Sequence, residues 1–240
     1  MEWSKWKKKI FILSLILVIA VSITGCGKKE KNKDALAFKE EYEALNGKTN
    51  KSGKEHRTIN ISEDNPYVKV KPSEIVKMIE DKETFFLYVG DPLCPWCRSV
   101  LEKSIEVAKD YKVNKIYYID IWNDEGNEIL RDKFEISNNE LMKTVEGTEE
   151  YQKLLEEFDS VLSEYSITTE DGEKISTGEK RIYAPNYFFI KNGKVKKLIE
   201  GYSSLQTDSR EELTKEMLED EEEQFKELFK LNPSCSKDGC

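Results

Sequence analysis

Hydrophobic and polar positions change period several times along the chain, and each change marks an element. Ile10 to Ile23 is almost wholly apolar, a run of 14 residues, shorter than the roughly 20 that a membrane-spanning helix needs. Residues 27–33 carry no apolar side chain and read as a solvated tether. Residues 34–47 predict one short helix. Asp34 is its expected cap, Leu36, Phe38, Tyr42 and Leu45 form a loose stripe, and Asn46-Gly47 stops it. Residues 48–57 form a linker rich in Lys, Ser, Gly and Asn. It holds His56, the only histidine, read as a solvated side chain.

The folded domain is expected to begin near Asn65. Tyr67 to Val70 alternates as a short strand does, and Ile75, Val76, Met78 and Ile79 recur at helical spacing after Pro72. Thr84 to Val89 and Ile116 to Ile121 are apolar runs of strand length. Between them Val100, Leu101, Ile105 and Val107 line a helix ending near Tyr111. A β-α-β-α-β order of this kind places a central sheet between helices. Residues 122–183 read as an insertion. Its main element is a helix capped by Thr148, with Tyr151, Leu154, Leu155, Phe158, Val161, Leu162 and Tyr165 at helical intervals. Asp171-Gly172 signals a hairpin, and Asn192-Gly193 signals a second one between "NYFFI" and "KVKKLI". Glu211 to Lys230 reads as a terminal acidic helix.

Charge and leader composition then set the compartment. Residues 1–25 hold four Lys and one Glu, +3 of a total of −9, which leaves −12 for the rest. The basic start followed by a short apolar run has the form of a secretory signal. A body this acidic repels phosphate, which argues against nucleic acid as a partner. Ile23-Thr24-Gly25-Cys26 resembles the lipobox of bacterial lipoproteins. That resemblance implies cleavage after residue 25, lipidation of Cys26, and anchorage to the cell membrane on its extracytoplasmic face, where disulfides persist.

Four cysteines then remain, in a C-x2-C at Cys94 and Cys97 and a C-x4-C at Cys235 and Cys240. The first pair follows an apolar strand and opens a helix. A sulfur at a helix start faces unpaired N–H groups and the positive end of the dipole, which favour its thiolate. Pro95 suits the first turn, where its missing N–H costs nothing. Cys97 lies three residues on, on the same face, within reach of a mixed disulfide on Cys94. Cys94 is thus the expected nucleophile and Cys97 the resolving thiol.

Cys94-Pro95-Trp96-Cys97, Ala184-Pro185 ahead of the "NYFFIKNGKV" hairpin, and Gly201 after it together resemble the thioredoxin-like fold family over residues 65–231. The resemblance implies an α/β fold with a central mixed sheet flanked by helices, enlarged at 122–183 before a cis-proline at 185. It implies a substrate-binding surface at Pro95, Trp96, Ala184 and Pro185. It also implies a thiol–disulfide oxidoreductase acting on protein thiols and disulfides, without cofactor, and with a membrane redox partner to exchange electrons. Two positions depart from thioredoxin. Tyr88 stands where that family has a buried Asp, and Leu93 where it has a Trp. The Pro-Trp dipeptide is similar to those of glutaredoxins and DsbA-type oxidases, so the direction of electron flow stays open.

The domain reading is therefore 1–25 leader, 26–64 tether with a short helix, 65–231 the main domain, and 232–240 a cysteine-containing tail. Two other readings stand beside the enzyme. One is a non-catalytic adaptor, for example an export accessory protein. The other is a binding lipoprotein with zinc held by all four cysteines. Cys235 and Cys240 are either a terminal disulfide clip or a second redox pair.

Overall fold

A computed structural model describes residues 32–122, 130–137, 140–169 and 171–233. Residues 1–25, expected from sequence to be a signal, and Cys26, Cys235 and Cys240 lie outside the described residues. No helix among the described residues is long and apolar enough to cross a membrane.

The elements follow in the order α1 (Lys33–Glu43), β1 (Tyr67–Lys69), α2 (Pro72–Glu80), β2 (Phe85–Gly90), α3 (Pro95–Asp110) and β3 (Ile116–Asp120). Then come β4 (Lys133–Ser137), β5 (Glu140–Val145), α4 (Glu149–Phe158), β6 (Glu164–Thr168), β7 (Lys174–Lys180), β8 (Asn186–Lys191), β9 (Lys194–Ile199) and α5 (Lys215–Phe229). Five strands make one sheet in the order β1-β3-β2-β8-β9. The first three are parallel, and β8 and β9 run antiparallel to β2 and to each other. The protein is therefore a mixed α/β fold with a central mixed sheet flanked by helices. The β8–β9 turn forms as expected. Asn192 and Gly193 both have positive φ, and a Cβ on Gly193 would stand 2.3 Å from the Ile79 carbonyl oxygen, so the turn tucks under the end of α2.

Strand alternation divides the core into two layers. Phe85, Leu87, Val89, Phe188 and Ile190 face α2 and α4; Phe86, Tyr88, Tyr118, Tyr187 and Phe189 face α1, α3 and α5. The insertion is thus partly a core element. Tyr151, Leu154 and Phe158 of α4 cover the second sheet face, with Phe158 stacked on Phe188 at 4.5 Å. Thr148 caps α4 as expected, accepting from the Tyr151 N–H. The helix is shorter than its apolar spacing suggested. It passes through a 3₁₀ turn at Asp159–Val161, and Tyr165 lies on β6. Two hairpins, β4–β5 and β6–β7, flank it; the Asp171-Gly172 signal marked the second, and the first was not foreseen. The terminal helix also starts later than expected, at Lys215 behind a Thr214 cap.

The largest correction concerns the segment before Asn65. The compact unit begins at Asn32. Asn32, not Asp34, caps α1, and Phe38, Tyr42, Ile59 and Ile61 are all core residues. Burying side chains of this size contributes on the order of 1.5–3 kcal/mol each, enough to hold a segment whose polar linker composition hid its role. His56 is likewise only 5% exposed, not solvated. Burial, then the charges of Arg98 and Arg210, depress its pKa below the usual imidazole value.

Arg98 explains how this segment is held. It is 1% exposed, next to Cys97 on α3, and all five of its N–H donors are used. Nε donates to the Arg57 carbonyl; one terminal nitrogen donates to the carbonyls of Tyr42 and Pro92; the other donates to the Arg57 carbonyl and the Asn46 amide oxygen. One guanidinium thus ties α1, its following loop and the turn before Cys94 to the start of α3. A lysine has three donors and no planar fork. We expect Arg98→Lys to lower stability by about 2–4 kcal/mol, read as a drop in the urea midpoint.

Glu221 of α5 provides a second test. Its side chain is fully buried and neither carboxylate oxygen has a hydrogen-bond partner among the described residues. Burial raises its pKa to about 8, opposed by Arg57 and Lys103. Between the ordinary carboxylate value of 4.5 and this one, the native state keeps a proton that the unfolded chain releases, so stability falls as pH rises through that window. Glu221→Gln is expected to flatten the fall, gaining about 2 kcal/mol over the parent at pH 9 and nearly nothing at pH 4.5, by urea denaturation at both pH values.

Candidate functional site: a dithiol at the start of a helix

Strand β2 ends at Gly90, and the chain turns at once into α3. Asp91 shapes the turn: its carboxylate accepts from the Leu93 N–H at 2.7 Å and its carbonyl from the Cys94 N–H at 3.1 Å. Cys94 is the N-cap residue in extended conformation, Pro95 occupies the first helical position, and the Arg98 N–H closes the first turn on the Cys94 carbonyl. This is the placement the sequence predicted. Cys94 is partly exposed and Cys97 is fully buried, and both are free thiols.

The two sulfurs lie in opposed environments. Cys94 is held below the usual thiol range, first by the Cys97 thiol that donates to it, then by the N–H groups of Cys97 and Trp96; burial and Asp91 oppose them. Cys97 is pushed well above the range, first by burial, then by its bond to Cys94 and that group's charge; the Tyr88 hydroxyl acts in the opposite sense. As a thiol, Cys94 also donates to the Ala184 carbonyl at 3.3 Å.

The loop bearing Ala184 therefore meets the dithiol from 90 residues away in sequence. The Ala184–Pro185 bond is cis. Asn186 fixes the loop, accepting from the Tyr183 N–H and donating to the Pro185 carbonyl. Trp96, between the cysteines, packs against Tyr202 at 4.7 Å between ring centres. Leu93 beside it is 45% exposed. Cys94, Pro95, Trp96, Cys97 and Ala184-Pro185 are thus gathered at one place.

Several residues here had no motif to announce them. Tyr202 comes from the loop after β9. Under the dithiol lies a row of tyrosines: Tyr118, Tyr88 and Tyr187 are direct cross-strand neighbours on β3, β2 and β8. Tyr88 stacks on Tyr118 at 5.4 Å and on Tyr187 at 4.5 Å. Tyr67 bonds to Tyr187 and to Ser104 of α3, and Tyr42 of α1 bonds to Tyr88. The available signal was one tyrosine at a same-face position of each predicted strand. Among the described residues no cluster of three or more His, Cys, Asp or Glu is placed to hold a metal ion. The four-cysteine zinc reading needs Cys235 and Cys240, outside the described residues.

The opposed environments predict unequal reactivity. Iodoacetamide at pH 7 is expected to modify Cys94 in the native protein while sparing Cys97 until unfolding. The rate at Cys94 should titrate with a pKa below that of an ordinary cysteine, read by peptide mass mapping across pH. A scan against protein-family models finds no match for this chain, and a search of curated proteins finds no significant relative.

Proposed function

We propose that the chain is an extracytoplasmic, lipid-anchored thiol–disulfide oxidoreductase with a thioredoxin-like fold, acting on protein thiols and disulfides. The observation that carries this reading is the asymmetric pair itself. A partly exposed, acidified sulfur sits at a helix start, with a buried, proton-holding sulfur one turn inward. That is the arrangement needed for a nucleophile that reacts first and a thiol that reacts second.

In the reducing direction, the Cys94 thiolate attacks one sulfur of a substrate disulfide. A Cys94–substrate disulfide forms, the old S–S bond breaks, and its electron pair leaves on the other substrate sulfur. Cys97 then loses its proton and attacks Cys94. The Cys94–Cys97 bond forms, and the second substrate sulfur leaves as a thiolate that the proton neutralises. The protein dithiol has been oxidised and the substrate disulfide reduced; the reverse sequence oxidises a substrate dithiol. The Ala184 carbonyl beside Cys94, with Trp96, Tyr202 and the exposed Leu93, supplies polar backbone and apolar surface for an extended chain. The Cys26 anchor would place this site at the membrane face, near a redox partner.

One observation favours the adaptor reading. Met142 and Val145 on β5 are 50% and 40% exposed, apolar surface on the insertion with no role in the exchange. Trapping separates the two readings. Cys97→Ala, expressed in its own cell envelope, should accumulate reducible adducts on Cys94, whereas Cys94→Ala should accumulate none. Adducts on Cys94→Ala alone would reverse the roles of the two sulfurs. Adducts on neither would support the adaptor.

A further inference from the structure

Exchange at Cys94 and Cys97 leaves Cys235 and Cys240 without a role. These two lie outside the described residues, but the point from which their segment leaves the domain is fixed. Helix α5 ends at Phe229, and the Asn232 N–H donates to the Phe229 carbonyl. The Asn232 side chain donates to the carbonyls of Tyr111 at 3.0 Å and Lys112 at 3.2 Å, in the turn that follows α3. Pro233 then borders a cavity with Thr84, Phe85, Lys112 and Val113. Thr84 and Phe85 stand at the start of β2, whereas the dithiol follows its end. Helices α3 and α5 run side by side in the same direction, since Lys103 faces Glu222 and Tyr111 meets Asn232. The tail thus departs from the end of α3 opposite to Cys94.

Chain length decides what that placement permits. Helix α3 has 16 residues, so its ends stand about 24 Å apart. Asn232 lies past the far end, and the gap to Cys94 is no smaller than this. Cys235 is three residues beyond Asn232, and three fully extended residues span at most about 11 Å. A disulfide needs its two Cα atoms within about 7 Å of each other. Cys235 therefore falls short of Cys94 by about 6 Å even along a straight line, before any detour around the side chains of α3 and α5. Cys240 is eight residues beyond Asn232. Its reach of about 29 Å spans the gap only with nearly every residue drawn straight, which surrenders most of the tail's conformational entropy.

We propose that Cys235 is held out of reach of the Cys94 of its own chain, so that any exchange between these two sulfurs runs from one copy of the protein to a second. The proposal rests on the reading of Cys94 and Cys97 as an exchange dithiol. Asn232 is the residue that enforces the separation, by pinning the root of the tail to the turn after α3. A disulfide at Cys94 is then not discharged by the Cys235 thiol of the same molecule, and the two cysteine pairs of one chain can hold different redox states. Between copies no such limit applies. The Cys94 thiolate of one copy attacks Cys235 in the tail disulfide of another, a Cys94–Cys235 bond forms, and the electron pair of the broken S–S bond leaves on Cys240. Cys97 of the first copy then displaces Cys235. One dithiol is oxidised and one tail disulfide reduced, and the two protons of the dithiol pass through solvent to the tail thiolates.

The test uses the full chain carrying Cys26→Ser, Cys97→Ala and Cys240→Ser, which leaves Cys94 and Cys235 as its two thiols. Less than one equivalent of 5,5′-dithiobis(2-nitrobenzoate) caps one sulfur and releases a coloured thiolate. Attack by the other sulfur releases a second and links Cys94 to Cys235. Non-reducing electrophoresis and peptide mass mapping then locate the link. It is expected only in covalent dimers, forming at a rate proportional to protein concentration. A second variant adds a Gly/Ser segment of about 15 residues after Pro233, giving a tail whose root-mean-square span of about 23 Å matches the gap. That tail should link within the monomer. A matched tether presents its sulfur at roughly millimolar effective concentration, so at micromolar protein the link should form about a thousandfold faster than between copies. A monomeric Cys94–Cys235 link in the chain without the added segment, at a rate independent of concentration, overturns the inference. So does a lengthened tail that gains no monomeric link, since reach would then not be the barrier. A Cys94 that releases no coloured thiolate in a Cys235→Ser control overturns the exchange reading and this inference with it.

Discussion

The burial of Arg98 is the constraint on which the arrangement of the site depends. A guanidinium without a carboxylate partner is costly inside a protein unless every N–H finds an acceptor. Here every one does, on three backbone carbonyls and one amide oxygen. Those acceptors belong to the end of α1, its following loop and the turn before Cys94. The charge can be satisfied only when all three are in place, so the position of the dithiol and the docking of α1 are coupled through one side chain. Hydrogen bonds to a charged donor are among the stronger ones, and here they bear on the turn of backbone that presents Cys94.

Docking of α1 in turn completes the environment of the inner sulfur. Tyr42 enters the core beside Tyr118 and reaches Tyr88, closing a layer of phenols around Cys97. Such a layer is an unusual compromise. The rings bury as much apolar area as phenylalanines would, while the hydroxyls supply directed dipoles in a low dielectric, where each is stronger than in water. Tyr67, Tyr187 and Ser104 satisfy one another, and Tyr42 and Tyr88 do the same. Burial keeps these phenols neutral, so the layer around Cys97 adds no charge of its own. Asp91, itself buried, accepts from the Leu93 N–H in the turn before Cys94, and burial raises its pKa.

What could be read in the chain and what could not divides along a physical line. The strands at Phe85–Gly90 and Asn186–Lys191, the Pro72 helix and the Asn192-Gly193 turn were legible because each is written in local periodicity or turn chemistry. So was the dithiol at Cys94 and Cys97, because a proline-containing C-x2-C between an apolar strand and an amphipathic run signals a helix start. The β4–β5 hairpin was not, since its strand β5 is exposed along nearly its whole length and carries no alternation to detect. Residues 32–64 were misjudged for a related reason. Phe38, Tyr42, Ile59 and Ile61 are spread among Lys, Glu, Asn and Ser, and their burial comes from contacts with β1 and α3 that no local window contains.

The sequence by itself therefore determined which sulfurs stand at a helix start and which segments span the sheet, because both follow from interactions between residues a few positions apart. Only the tertiary structure decided what surrounds them. It brought Ala184 to Cys94 across 90 residues, Tyr202 to Trp96, and Tyr42 to Tyr88 across 46 residues. Those juxtapositions come from strand order and helix docking, which are settled by packing the whole core at once. A tyrosine in a strand pattern looks the same whether its hydroxyl meets water, a serine or another tyrosine, and only the fold distinguishes them.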